Sequence, residues 1–160
     1  MDFESELEAA IKRGQQRVEL RQHSARQAKL SVEEFRNRHN DFRLNLSEHI
    51  EQGLKKLANH FPGFDYETIY GSRGWGGAVS RSDIDRGPKG RAGSFFSRLE
   101  LTVRPPNEFN VVNIAGKGTI RDKELFNWNH YENIVDAQQA AFEKMIDKWM
   151  LEFAELFAAR

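Results

Sequence analysis

The chain has 160 residues and a mass of 18.5 kDa, enough for one domain that buries a core without staples. It has no cysteine, which excludes disulfides, thiolate metal sites and cysteine nucleophiles. Its 24 Lys and Arg balance 24 Asp and Glu, and this neutrality argues against a dedicated duplex-DNA binder.

The first ten residues, MDFESELEAA, are acidic and carry no apolar run, so they do not read as a signal peptide. No apolar stretch approaches the length of a membrane span. The expectation is a soluble, cytoplasmic protein with no membrane partner.

Residues 1–61 form a helical arm without proline. Apolar side chains recur at Phe3, Leu7, Ile11, Val18, Ala25, Ala28, Val32, Phe35, Phe42, Leu46, Ile50, Leu54, Leu57 and Phe61. Steps of three and four, or their sums, place them on one helical stripe. Gly14, Arg21 and His39 fall where that stripe expects an apolar residue. Ser31-Val32-Glu33-Glu34 has the form of a capping box, with Ser31 as N-cap. Two readings stand: one helix of about 87 Å at ~1.5 Å per residue, or two helices meeting near residues 29–31. Pro62-Gly63 ends the helical part. Over residues 1–60 the arm mixes 11 basic with 10 acidic residues, which suits the flanks of a coiled coil or helical hairpin.

Residues 62–160 form an α+β core, and the whole chain reads as one structural domain. The segment YETIY at 66–70 is built of β-formers. At 95–103, FFSRLELTV alternates, with Phe95, Leu99, Leu101 and Val103 one way and Arg98, Glu100 and Thr102 the other. Pro105-Pro106-Asn107 makes a turn, and FNVVNIA at 109–115 returns as the antiparallel partner. A further strand is expected over about 120–128. Gly116-Lys117-Gly118-Thr119 lacks the upstream glycine of a phosphate loop and reads as a hairpin turn or bulge. Between these lies 71–93, which holds seven of the 12 glycines and Pro88. It is expected to be turn and loop with one short strand at most. Residues 134–159 form a last helix whose apolar face, with Phe142, Ile146, Trp149 and Phe153, packs on the sheet. Asn129 or Asn133 is expected to cap it. The predicted fold is α+β: a long N-terminal helix or helical hairpin, an antiparallel sheet of about four strands, and a long C-terminal helix on the sheet.

Residues 69–85, IYGSRGWGGAVSRSDID, carry the chemistry-bearing pattern. Gly71-Ser72 follows a strand-like run, and Asp83-Ile84-Asp85 comes 11 residues after Ser72. This resembles the signature of small nucleotidyltransferases of the polymerase-beta type. The resemblance implies Mg²⁺ held by Asp83 and Asp85, with Glu100 as third carboxylate and Gly71-Ser72 against the triphosphate. Carboxylates two apart on a strand share a side and can share a metal. The sequence departs from the family after Asp85, where RGPKGRAG does not suit a central strand, and at Gly74-Trp75-Gly76-Gly77, poor material for the family's short helix.

The same region supports a third reading. Arg73, Arg81, Arg86, Lys89, Arg91, Arg98 and Arg104 outnumber Asp83, Asp85 and Glu100 over 71–104. Trp75, Phe95 and Phe96 lie among them, a mixture that suits single-stranded RNA. The five histidines show no zincin spacing.

The leading expectation is a non-catalytic binding or assembly module that self-associates through its helices, as a homo-oligomer and most simply a dimer, and that takes no cofactor. A protein partner is also open. Nucleotidyl transfer, which alone would call for Mg²⁺, is the alternative, and RNA ranks third. Gly71, Ser72, Arg73 and Trp75 are the candidate ligand contacts.

Overall fold

A computed structural model of the chain describes residues 2–29, 32–86 and 92–160. The elements run α1 (Phe3–Lys29), α2 (Val32–His60), β1 (Asp65–Ile69), β2 (Trp75–Arg86), β3 (Ala92–Val103), β4 (Val111–Ile120), β5 (Lys123–Asn133) and α3 (Gln139–Ala158). The chain divides into two compact units, residues 1–37 and 38–160. The helical part is described in two stretches, Phe3–Lys29 and Val32–His60, and the junction expected near residues 29–31 falls at residues 30 and 31, outside the described residues. Ser31, the expected N-cap of the second, lies outside the described residues.

In the second unit the five strands form one antiparallel sheet in the order β1-β2-β3-β4-β5. Each strand pairs with its neighbours in sequence, so short turns suffice. At the β4–β5 turn Arg121 and Asp122 both have positive φ, 49° and 67°. Two left-handed residues match the twist of a two-residue hairpin. Asp122 also locks the turn onto β3: its N–H donates to the Phe96 carbonyl and its Oδ1 accepts from the Phe96 N–H. The register shifts at Gly118/Thr119, so the Gly-Lys-Gly-Thr segment holds a bulge inside β4.

The sheet has five strands, in keeping with the expected number of about four. Three other expectations are corrected. Residues 75–86 form β2, a 12-residue strand bonded to β1 on one side and β3 on the other. Two of the seven glycines that suggested a loop, Gly76 and Gly77, lie inside it. Packing requires them: a Cβ on Gly77 would sit 2.6 Å from the Tyr66 ring. The last strand runs 123–133 rather than 120–128. The last helix starts at Gln139, and neither asparagine caps it. Asn129 stays in β5, and Asn133 builds a turn before the helix, its Oδ1 accepting from the Val135 N–H.

Strand alternation gives the sheet two faces. One carries Trp75, Val79, Leu99, Leu101, Val103, Ile114 and Phe126 and is covered by helices. Part of α2 and all of α3 lie on it side by side, running in the same direction. Phe42 meets Phe142, Asn45 donates to Gln139, His49 contacts Asp147, and Phe61 stacks edge-on against Phe157. Trp149 of α3 lies directly on Gly116 of β4, where a Cβ would come within 2.6 Å of the ring. That glycine lets the helix approach the sheet closely and fill the space with an indole. Leu46, Ile50, Leu54, Phe142, Phe153 and Phe157 are fully buried between the layers.

The other face is polar. Pairing sets it in rungs: Glu67-Ala78-Glu100-Lys117-Asn127, then Thr102-Ala115-Asn129 beside Gly76, then Arg98-Thr119 beside Ser80. Within this unit the helices lie on the opposite face.

Candidate functional site

The polymerase-type pattern is not assembled at one place. Gly71, Ser72 and Arg73 form the exposed turn between β1 and β2, closed by the Gly74 N–H on the Gly71 carbonyl at 3.1 Å. The chain then enters β2 directly, with no helix after Gly-Ser. Asp83 lies eight residues beyond Trp75, about 27 Å along an extended strand, at the other end of β2. Glu100 pairs opposite Ala78 and so stands on the polar face, whereas Asp83 pairs opposite Phe95 on the helix-covered face. Asp85 belongs to β2 opposite Gly93, and its side chain lies outside the description. Among the described residues no group of three or more His, Asp or Glu is placed to hold a metal ion.

Asp83 has a structural partner set. Its Oδ1 accepts from Arg81 Nε at 2.7 Å, and Arg160 Nη1 lies 3.7 Å from its Oδ2. The two guanidiniums sit over the Phe157 ring at 5.2 and 3.9 Å. Arg81 also donates to the Pro62 carbonyl at 3.0 Å. One carboxylate thus holds two arginines over the aromatic plug where the end of α3 meets the sheet.

Trp75 faces the helices. Arg43 lies 4.7 Å over its ring, and His39 meets it edge-on at 6.4 Å. His39 is buried, and its Nε2 bonds the Arg104 carbonyl at 3.1 Å, while Nδ1 has no hydrogen-bond partner. The Nε2–H tautomer satisfies this geometry, because a carbonyl only accepts. Burial, with a small push from the Arg43 charge, lowers the His39 pKa, and the bond to Arg104 opposes that only in part.

The polar face holds a notch of about 270 Å³. Ala115 and Thr102 line its floor; Arg73, Arg104, Lys117 and Asn127 surround it, with Glu100 the acid among the lining residues. Glu100 accepts from Arg73 at 3.1 Å and lies 3.6 Å from Arg98, which also bonds Glu67. Of the residues singled out in the sequence, the notch unites Arg73, Arg104 and Glu100. Lys117 and Asn127 arrive through the β3–β4–β5 register, which has no local signal. Phe95 is covered by Arg121 at 4.5 Å, while Phe96 and Tyr131 are exposed. Lys89 and Arg91 lie outside the described residues, as does the side chain of Arg86.

A larger groove, about 740 Å³, opens between α2 and α3 over Gly53, Leu57, Met150 and Leu151, with His49, Lys56 and His60 at its rim. Sequence reasoning missed this groove, and Gly53 is the signal that could have found it. A Cβ there would lie 2.4 Å from the Met150 methyl, so the helices meet where that side chain is missing.

The first unit presents a different surface. On α1, Phe3, Leu7, Ile11 and Val18 are 74, 47, 52 and 50% exposed. A shallow groove runs past them, lined by Ile11, Gly14, Gln15, Val18 and Glu19. No helix in the described residues is long and apolar enough to cross a membrane. No family model, no curated protein and no solved structure matches the chain.

Proposed function

We propose that the protein is a binding and assembly module that associates with itself through α1. The observation that carries this reading is the exposed stripe of Phe3, Leu7, Ile11 and Val18 on a 27-residue helix. Large apolar side chains in a row on one face mark an interaction surface, and an isolated helix gains most of its stability from packing such a face. Light scattering tests the reading. The native protein should weigh about twice 18.5 kDa, and Ile11→Asp should return it to the single-chain mass. A native monomer at the highest workable concentration would end it.

A second reading has its own support, in the notch on the polar sheet face. Arg73, Arg104 and Lys117 around a small-residue floor suit an anionic group, and a single-stranded RNA would bring phosphates to them while Tyr131 offered a ring for stacking. Binding of a labelled single-stranded RNA should weaken with salt and with Arg104→Glu. Salt-independent binding, or none, removes this reading without touching the first.

A further inference from the structure

The self-association proposed above leaves orientation open, and the interruptions of the α1 stripe decide it. Taken as heptads, the seam runs Glu4, Leu7, Ile11, Gly14, Val18, Arg21, with steps of three and four. A small residue and two opposite charges therefore sit at core positions. The charges are also segregated along the helix. Asp2, Glu4, Glu6 and Glu8 fall in its first part; Lys12, Arg13, Arg17 and Arg21 follow, with Glu19 the one acid among them.

We propose that two copies pair through α1 in antiparallel order, resting on the self-association just described. In an antiparallel pair the alternate seam positions face one another. Leu7 then meets Val18 of the second copy, Ile11 meets Gly14, and Glu4 meets Arg21. Every interruption acquires a partner. The groove beside Gly14 receives Ile11, and no described atom lies within 4 Å of a Cβ built at Gly14. Arg21, misplaced in an apolar stripe, closes the end of the seam on a carboxylate. The opposed macrodipoles favour the same order.

Parallel order reverses each of these. Equal positions would face, so Arg21 would meet Arg21, Glu4 would meet Glu4, and Gly14 facing Gly14 would leave a void. The four acids of one copy would lie beside the same four of the other. The paired stretch, residues 4–21, spans about 27 Å at ~1.5 Å per residue. One charged layer at each end fixes register and order in the way that a single polar core position does in coiled coils.

The absence of cysteine makes the test clean. Leu7→Cys and Val18→Cys are made singly and together and oxidised, and covalent dimers are read on non-reducing gels. Antiparallel order predicts that neither single variant cross-links and that the double variant does, because Cys at 7 of one copy then faces Cys at 18 of the other. Cross-linking by Leu7→Cys alone would overturn it in favour of parallel order. Arg21→Glu should weaken self-association about tenfold, and adding Glu4→Arg should restore it. Light scattering of the unmodified protein is run beside these. A monomer there sinks the self-association itself. A dimer that cross-links in no variant and ignores Arg21→Glu places the contact elsewhere and sinks only the antiparallel seam.

Discussion

The two helices of the N-terminal half carry the same apolar period and opposite fates. In α2, Leu46, Ile50 and Leu54 are wholly buried; in α1, Leu7, Ile11 and Val18 are about half exposed. The α1 stripe is broken at Gly14 and Arg21, and the α2 stripe at His39. The larger difference is the cover. The α2 stripe lies against the sheet and beside α3, which brings Phe142 and Met150 to it. The α1 side chains Leu7, Ile11 and Val18 stay exposed. A hydrophobic period therefore states which face of a helix must be buried, and only the surrounding chain states by what.

The comparison breaks most sharply under truncation. Leu54→Ala should cost about 3–4 kcal/mol of unfolding free energy, as a buried leucine without room to relax does. Leu7→Ala should cost under about 0.5 kcal/mol in the monomeric chain, because an exposed residue leaves no cavity. Denaturant titrations of both variants, made under dilute conditions, check this. Equal costs would mean that the α1 face is covered within the chain.

Overpacking comes next. Gly116→Val would drive a side chain into the Trp149 ring and should cost about 2–3 kcal/mol. Trp149 emission should move toward that of a more solvated indole. Gly14→Val on α1 is the matching change, and there no atom lies in the way. It should leave unfolding near native and weaken self-association by filling the groove. A large stability loss at Gly14 would erase the contrast between the two surfaces.

How much of this was legible in the sequence depends on what each residue answers to. The stripe over α2, the alternation of 95–103, the Pro105-Pro106 turn and the final helix were readable because local period and burial agree there. β2 was not. Its inward positions are Trp75, Gly77, Val79, Arg81 and Asp83, a series that no alternation rule takes for a buried strand. Gly77 is small because Tyr66 lies over it, and Arg81 and Asp83 turn inward because they bond each other over Phe157. Both causes sit elsewhere in the chain, so tertiary packing overrides propensity. The same holds for the notch. Arg73 was visible as a candidate, but Lys117 and Asn127 join it only through strand register.

The Asp83 cluster is a smaller test of the same point, since its residues looked like a metal site. Asp83→Asn should cost about 1–2 kcal/mol, the loss expected when two partly buried guanidiniums lose their carboxylate. If Asp83 serves only this clamp, ribonucleoside triphosphate with Mg²⁺ should raise the native melting temperature no more than it raises the variant's. A rise confined to the native protein would return Asp83 to a binding role.

The smallest effect expected is a pH dependence at His39, where the α2 stripe itself is interrupted. Its counterpart interruptions in α1 are exposed, whereas this ring is buried with Nδ1 unpartnered. Protonation would place a proton on that nitrogen with no acceptor, next to the Arg43 charge, and burial accordingly lowers the pKa in the folded chain. The unfolded chain therefore binds more protons than the folded one as pH falls below the ordinary histidine value of about 6.5. Stability from this residue is present above that pH and is lost as pH falls through the folded pKa. His39→Gln keeps a donor for the Arg104 carbonyl and does not titrate. The other histidines are common to both proteins, so the difference between the two denaturation midpoints isolates His39. That difference should shift in favour of the variant between about pH 6.5 and 5. A constant difference across that range would mean that the buried ring accepts its proton without cost, and that this interruption of the stripe is as well solvated as those in α1.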